Sequence, residues 1–258
     1  MAIVNATPDS FSDGGQFLAA DEAISHALAC VEQGAHIIDI GGESTRPGAA
    51  VVTAQQEQDR VLPVIERLAG ETEALISVDT YRASTAKLAI EAGAHIVNDV
   101  FGLQKDADMA RVIGYAGAGV CIMHTGRERQ KLADIIEDQF LFLTHSLELA
   151  DGAGIARNAI VLDPGFGFAK DTDENVALMS RFEELAGFGL PILAGTSRKR
   201  FIGALTGREG AEERDVGTSA TTALLRMAGA VIFRVHNVVM TRDALAIADA
   251  VLRHKNHN

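Results

Sequence analysis

The sequence predicts an α/β fold: a single (β/α)8 TIM barrel with its active site at the C-terminal ends of the strands. Three observations lead there. Eight short apolar runs alternate with longer Ala/Leu-rich amphipathic segments, the alternation fills most of the 258 residues, and no Gly-rich dinucleotide turn follows the first run. Apolar strands alternating with helices imply a parallel sheet covered on both faces. Eight such units in roughly 250 residues suit one barrel, whereas a doubly wound sheet more often carries fewer strands and wants a glycine turn after its first.

In chain order the strand runs are 2–6 (AIVNA), 36–41 (HIIDIG), 75–79 (LISVD), 95–100 (HIVNDV), 119–124 (GVCIMH), 159–163 (AIVLD), 191–195 (PILAG) and 231–236 (VIFRVH). Helices are predicted at 21–34, 53–69, 83–92, 106–117, 134–153, 173–187, 198–229 with a break near Gly207–Gly210, and 241–253. Gly34, Gly93 and Gly229 stand where a helix hands over to a strand, a position that favours positive φ. No Pro/Ser-rich linker divides the chain, so 1–258 reads as a single domain.

Composition narrows the function classes. With 23 Lys+Arg against 35 Asp+Glu the formal charge is −12, which argues against nucleic-acid and membrane partners and means that any anion site must be built locally. Cys30 and Cys121 form no CxxC pattern, so neither a disulfide framework nor a zinc cluster is expected. There is no leader-like start and no long apolar stretch, which places the chain in the cytoplasm as an expectation.

Each apolar run ends in polar residues: Asn5, Asp39, Asp79, Asn98 with Asp99, His124, Asp163, Ser197 just past the seventh, and Arg234 with His236. In a barrel these ends converge on one mouth. The simpler reading of any one of them is a turn former or helix cap. Asp39 suits that reading best, because it lies inside its strand and can brace a neighbouring cation. Arg234 and His236, two apart, share a face and can hold one anion together.

In Gly195-Thr196-Ser197-Arg198-Lys199-Arg200-Phe201, Ser197 reads as an N-cap, which puts Arg198, Lys199 and Arg200 in a first helical turn that disfavours cations. At least one of them is therefore expected to reach an anionic or acceptor-rich ligand. The connections 7–15 and 41–48 pair glycines with small hydroxyl residues, the composition of a lid able to close on substrate. The aromatic content of DPGFGFAK (163–170) suggests an apolar wall flanking a ring. Carboxylates facing amides suit a polar heterocycle, and the Arg/His pair suits a phosphate. With no nucleophile paired to a base, chemistry by positioning and charge stabilisation is the natural inference.

Seven segments, NATPDSFSDGG (5–15), DIGGESTRPGA (39–49), SVDTYR (77–82), VNDV (97–100), DPGFGFAK (163–170), GTSRKRFIG (195–203) and RVHNV (234–238), together resemble the dihydropteroate synthase family. The resemblance implies a Mg²⁺-dependent transferase of folate synthesis and a sulfonamide target. Such an enzyme condenses 6-hydroxymethyl-7,8-dihydropterin pyrophosphate with p-aminobenzoate. Carried over by motif, Asp79, Asn98, Asp163 and Lys199 would hold the pterin, and Asn5 would ligate Mg²⁺. Thr45, Arg234 and His236 would engage the pyrophosphate, while Arg46, Ser197 and Phe168 would border the p-aminobenzoate site. Asp79, Lys199, Arg234 and His236 are the catalytic set it implies, in a homodimer.

The sequence departs from the family pattern in three places. Met1 stands directly at the first strand run, four residues before the first motif, where a preceding segment is usual; 123–130 reads MHTGRERQ in place of a longer stretch; and Asn237 stands where Asp is common. A corrinoid methyltransferase with a similar pterin pocket would not be expected to keep SRKRF or the SFSDGG and STRPG loops. A Schiff-base aldolase would want a strand-end lysine, where this sixth strand ends in Asp163. A non-catalytic pterin-binding paralogue is the remaining alternative.

Overall fold

A computed structural model describes residues 1–6, 15–43 and 52–255. Thr45, Arg46 and the segments 7–14 and 44–51, on which the lid expectation rests, lie outside the described residues. The strands are β1 (Ala2–Asn5), β2 (Ile37–Gly41), β3 (Leu75–Asp79), β4 (Ile96–Asp99), β5 (Gly119–Met123), β6 (Ile160–Asp163), β7 (Leu193–Ala194) and β8 (Ile232–Phe233). The helices are α1 (Gly15–Glu32), α2 (Ala54–Glu71), α3 (Ala83–Glu91), α4 (Met109–Ala116), α5 (Ile135–Gly152), α6 (Thr172–Ser180), α7 (Arg200–Thr206), α8 (Asp215–Met227) and α9 (Val238–Lys255).

Strands β1 to β6 form one parallel sheet in sequence order, and β7 pairs with β8. Parallel bridges Leu162–Ile192 and Ala2–Val235 join the two pieces and close the barrel. The β2 run is apolar at every position but one, and all its side chains are buried, as expected of a strand covered on both faces. Local signals set the helix starts: Thr53 with Gln56 and Asp171 with Glu174 form capping boxes, and the Asp134 carboxylate accepts the Ile136 and Glu137 amides. Gly34, Gly93 and Gly229 adopt φ of 95°, 115° and 103°, as their positions required.

One helical expectation holds and one is corrected. The break expected near Gly207–Gly210 within 198–229 is present: α7 ends before Gly207 at φ 70°, and α8 follows a 3-10 turn at Glu212–Arg214. The segment expected at 173–187 is helical only to Ser180 and continues as a 3-10 helix over Phe182–Phe188, whose buried Phe182 stacks 6.3 Å from Phe166. Among the described residues no helix is long and apolar enough to cross a membrane.

Candidate active site

The parallel register decides which side chains share a level. Asn5 pairs with Gly41, Gly41 with Asp79, Asp79 with Asn98 and Asn98 with Cys121, so these residues form one row across the first five strands. Asp39 lies two residues earlier on β2, a level deeper. A cavity of about 900 Å³ opens at the C-terminal strand ends, lined by Asn5, Asp79, Asn98, Asp163, Phe168, Ser197, Lys199, Arg234 and His236. Every described residue that the motifs assign to the site therefore lines this one cavity.

Beneath them, Asp39 is fully buried and takes three hydrogen bonds: from Ser77 Oγ at 2.6 Å, Asn98 Nδ2 at 3.1 Å and Arg234 Nε at 2.6 Å. Paired and hydrogen-bonded in this way, a buried carboxylate is tolerated. Asp39 is thus the brace for a cation that its place inside the strand suggested. Arg234 Nη2 also donates to Asp79 Oδ2 at 2.8 Å. Burial works against the Arg234 cation, yet Asp39 and Asp79 outweigh it and hold its pKa above the ordinary arginine value. Burial pushes Asp79 up to about 7 against the pull of Arg234.

Asn98 spends its amide nitrogen on Asp39, since a carboxylate only accepts. Its Oδ1 is left buried with no partner, an acceptor on a residue that lines the cavity. Asp163 accepts the Gly165 amide at 2.7 Å through Oδ1. Burial raises its pKa while Lys199 pulls it down. Lys199 donates to the Phe166 carbonyl and lies 4.5 Å from the Phe168 ring centroid, with Arg127 at 4.6 Å from the same ring. Burial lowers the Lys199 pKa to about 8. Ser197 Oγ lies 2.9 Å from His236 Nδ1 and accepts the His236 amide at 3.1 Å, tying the seventh strand end to the eighth.

Several expectations change. Ser197 is no N-cap: α7 starts at Arg200 behind Lys199, and the Ser197 hydroxyl is engaged by His236. All three cations line the cavity, and Lys199 is the one set against the Phe166 carbonyl and the Phe168 ring. Arg198, at φ 57°, forms a bidentate pair with Asp215 at 2.7 and 2.9 Å, and Arg200 is exposed. Asn237 donates to Asp215 at 3.0 Å and accepts the Met240 amide at 3.1 Å at the start of α9, so it supports the Arg198 pair.

Asp99 and His124 do not reach the mouth, because adjacent strand residues point to opposite faces. Asn98 and Met123 face the cavity, while Asp99 accepts the Phe101 and Leu103 amides and His124 turns toward Asp138 of α5. Sequence reasoning passed over Arg127 and Lys170, which also line the cavity. Lys170 ends one of the quoted motifs and Arg127 lies in the divergent 123–130 segment, but neither stands at a strand end.

Residues 1–236 match the family model described as pterin binding enzyme. A Bacillus subtilis dihydropteroate synthase is 46% identical over 98% of this chain and 88% of its own. The crystal structure of a Clostridium difficile dihydropteroate synthase in the presence of pteroic acid superposes with a TM-score of 0.93 at 47% identity, covering 97% of this chain and 95% of that one. A Xanthomonas albilineans dihydropteroate synthase structure with 4-aminobenzoic acid gives 0.92 at 43%, over 98% of this chain and 92% of that one.

Proposed function

The chain belongs to the pterin binding enzyme family, among the dihydropteroate synthases, and from that premise we propose how its residues divide the work. It is a transferase of folate biosynthesis that condenses 6-hydroxymethyl-7,8-dihydropterin pyrophosphate with p-aminobenzoate, yielding 7,8-dihydropteroate and pyrophosphate. We take residues 1–258 as one pterin-binding barrel domain.

One observation carries the assignment of the pterin site: the buried, unpartnered Oδ1 of Asn98 in a cavity it shares with Asp79, Asp163 and Lys199. Three acceptors and one donor complement an aminopyrimidine ring, whose amino and ring N–H groups donate while its carbonyl and ring nitrogens accept. Phe168 supplies an apolar face beside Lys199 for the aryl ring, with Ser197 near its carboxylate, and Arg46 is assigned to the same subsite by motif. Arg234 has two of its three guanidinium nitrogens committed to Asp39 and Asp79, which leaves Nη1, with His236 and Thr45, for the pyrophosphate.

Among the described residues no group of three His, Cys, Asp or Glu side chains is placed to hold a metal. Mg²⁺ usually takes one or two protein oxygens and completes its shell with waters and substrate phosphates, and the exposed Asn5 amide at the rim fits that role. When bound there, Mg²⁺ would neutralise charge on the pyrophosphate oxygens.

In the reaction the bond from the exocyclic methylene carbon to the pyrophosphate oxygen breaks, and the departing oxygens gain charge that Arg234 and His236 stabilise. The acceptors around the pterin hold the ring through which the developing positive charge is delocalised. The p-aminobenzoate nitrogen then bonds to the methylene carbon and releases one proton. Asp79, Lys199, Arg234 and His236 act by position and charge, with no covalent enzyme intermediate.

The free, buried thiols of Cys30 and Cys121 suit a reducing cytoplasm. A homodimer would use the exposed apolar residues Val216 and Leu224 of α8 with Ile247 and Val251 of α9. The decisive test is turnover: purified protein with Mg²⁺, the pterin pyrophosphate and p-aminobenzoate is expected to form dihydropteroate. Pterin binding by calorimetry with no product above background would overturn this reading in favour of a non-catalytic pterin-binding protein.

A further inference from the structure

We propose that Lys170 is a positioning residue for pterin recognition, oriented by a buried Asp138–His124 pair and acting through the turn that carries Asp163. The inference rests on the pterin site assigned above. The turn after β6 is gripped by two lysines at successive carbonyls. Lys170 Nζ donates to Gly165 O at 2.9 Å, and Lys199 Nζ donates to Phe166 O. The Gly165 amide in turn donates to Asp163 Oδ1. Residue 165 is therefore held at its N–H by the pterin-facing carboxylate and at its carbonyl by Lys170. That arrangement fixes the Asp163 rotamer and leaves Oδ2 for ligand.

A lysine is costly to bury, and Lys170 is only 8% exposed beside a second cation, Lys199. Its second partner explains how it is held. Lys170 Nζ lies 2.9 Å from His124 Nδ1, and an ammonium can only donate, so Nδ1 accepts. The ring proton then sits on Nε2 and is donated to Asp138 Oδ2 at 2.9 Å. Arg129 Nη2 is 2.8 Å from the same Nε2, but two donors make no hydrogen bond; Arg129 serves Asp138 instead, through Nη1 at 2.9 Å. Burial lowers the His124 pKa to about 4, which keeps the imidazole neutral and able to accept. The chain runs from carboxylate through imidazole to ammonium, turn carbonyl and finally Asp163, all outside the set assigned from the motifs except its last member.

The test uses fluorescence-detected binding of 6-hydroxymethylpterin to the full-length protein, with melting temperatures recorded for every variant. Lys170→Met is expected to raise the Kd about tenfold, the scale of one lost hydrogen bond to a charged group. His124→Gln, which reaches Asp138 but offers Lys170 no acceptor at the Nδ1 position, should do the same. His124→Asn places an amide oxygen near Nδ1 and should keep the Kd within about threefold of the parent. Equal Kd values for the two His124 variants, or an unchanged Kd for Lys170→Met, would overturn the proposal in favour of a purely structural role. Should the His124 variants not fold, Lys170→Met decides alone: a raised Kd with a retained melting temperature supports the role, and an unchanged Kd refutes it. Failure of the parent protein to bind the pterin would instead refute the functional reading above.

Discussion

Arg234 Nε donates to Asp39 Oδ2 at 2.6 Å, joining residues 195 positions apart across the closed barrel. The contact lies beneath the mouth, with Asp39 fully buried and Arg234 only partly exposed. Asp39→Ala leaves the buried guanidinium with Asp79 as its one remaining carboxylate partner. We expect a loss of about 3–5 kcal/mol in chemical denaturation, the usual result of removing one partner of a buried pair. A loss below about 1 kcal/mol would show that water replaces the carboxylate at little cost.

Arg234→Ala should weaken binding of the pterin pyrophosphate far more than binding of the free pterin, as measured by calorimetry. Two guanidinium nitrogens are spent on Asp39 and Asp79, while the remaining one is assigned to the anion. Equal losses for the two ligands would remove that role.

Gly165 and Gly117 both have positive φ, at 67° and 66°, but different surroundings. A Cβ at Gly117 meets open space, whereas one at Gly165 collides with the His124 carbonyl. Gly117→Ala should cost about 1–2 kcal/mol, the left-handed backbone penalty alone. Gly165→Ala should cost clearly more and lower pterin affinity as well, because Asp163 bonds the same peptide. Similar melting temperatures for the two variants would contradict this.

The acid limb of stability should carry the signature of His124. Its folded pKa of about 4 lies below the ordinary histidine value, so the native state binds fewer protons than the unfolded chain between pH 4 and 6.5. Stability from this group is complete above pH 6.5 and is lost as pH falls toward 4, by an amount of about 3 kcal/mol. Asp138, whose carboxyl is held well below its usual range by His124 and Arg129 against the cost of burial, extends the loss to lower pH. Lys170, lowered by burial to about 7, acts in the alkaline window above that value. Urea unfolding of His124→Asn between pH 4 and 6.5 should show a flatter slope than the parent; parallel slopes would argue against a buried neutral imidazole.

Leu224 and Ile247 are 61% and 70% exposed on α8 and α9. The double change to Asp should convert a dimer to a monomer in sedimentation, with little loss of monomer stability since neither side chain is buried. An unchanged sedimentation coefficient would place any dimer contact elsewhere.

Much of the site was legible because two periodicities are simple. The alternation of apolar runs with amphipathic segments counted the βα units, and the polar residue closing each run marked the mouth. The limits of that legibility show in neighbouring pairs. Asn98 and Asp99 are equally polar and equally near a strand end, but pleating sends only Asn98 into the cavity. Ser197 has the residue type and place of an N-cap, yet His236, brought alongside by barrel closure, competes successfully for its hydroxyl.

By itself the sequence determined the eight-unit parallel architecture, the strand-end residues that meet at one mouth and the family to which the chain belongs, since these follow from local pattern and motif order. Only the tertiary structure decided how those residues are paired: Asp39 beneath Arg234, Lys170 on His124, and Asn98 with one amide atom spent and the other unpartnered. The physical reason is that hydrogen bonds and buried charges are matched across strands and helices distant in the chain. Which donor finds which acceptor depends on register, pleat and closure together.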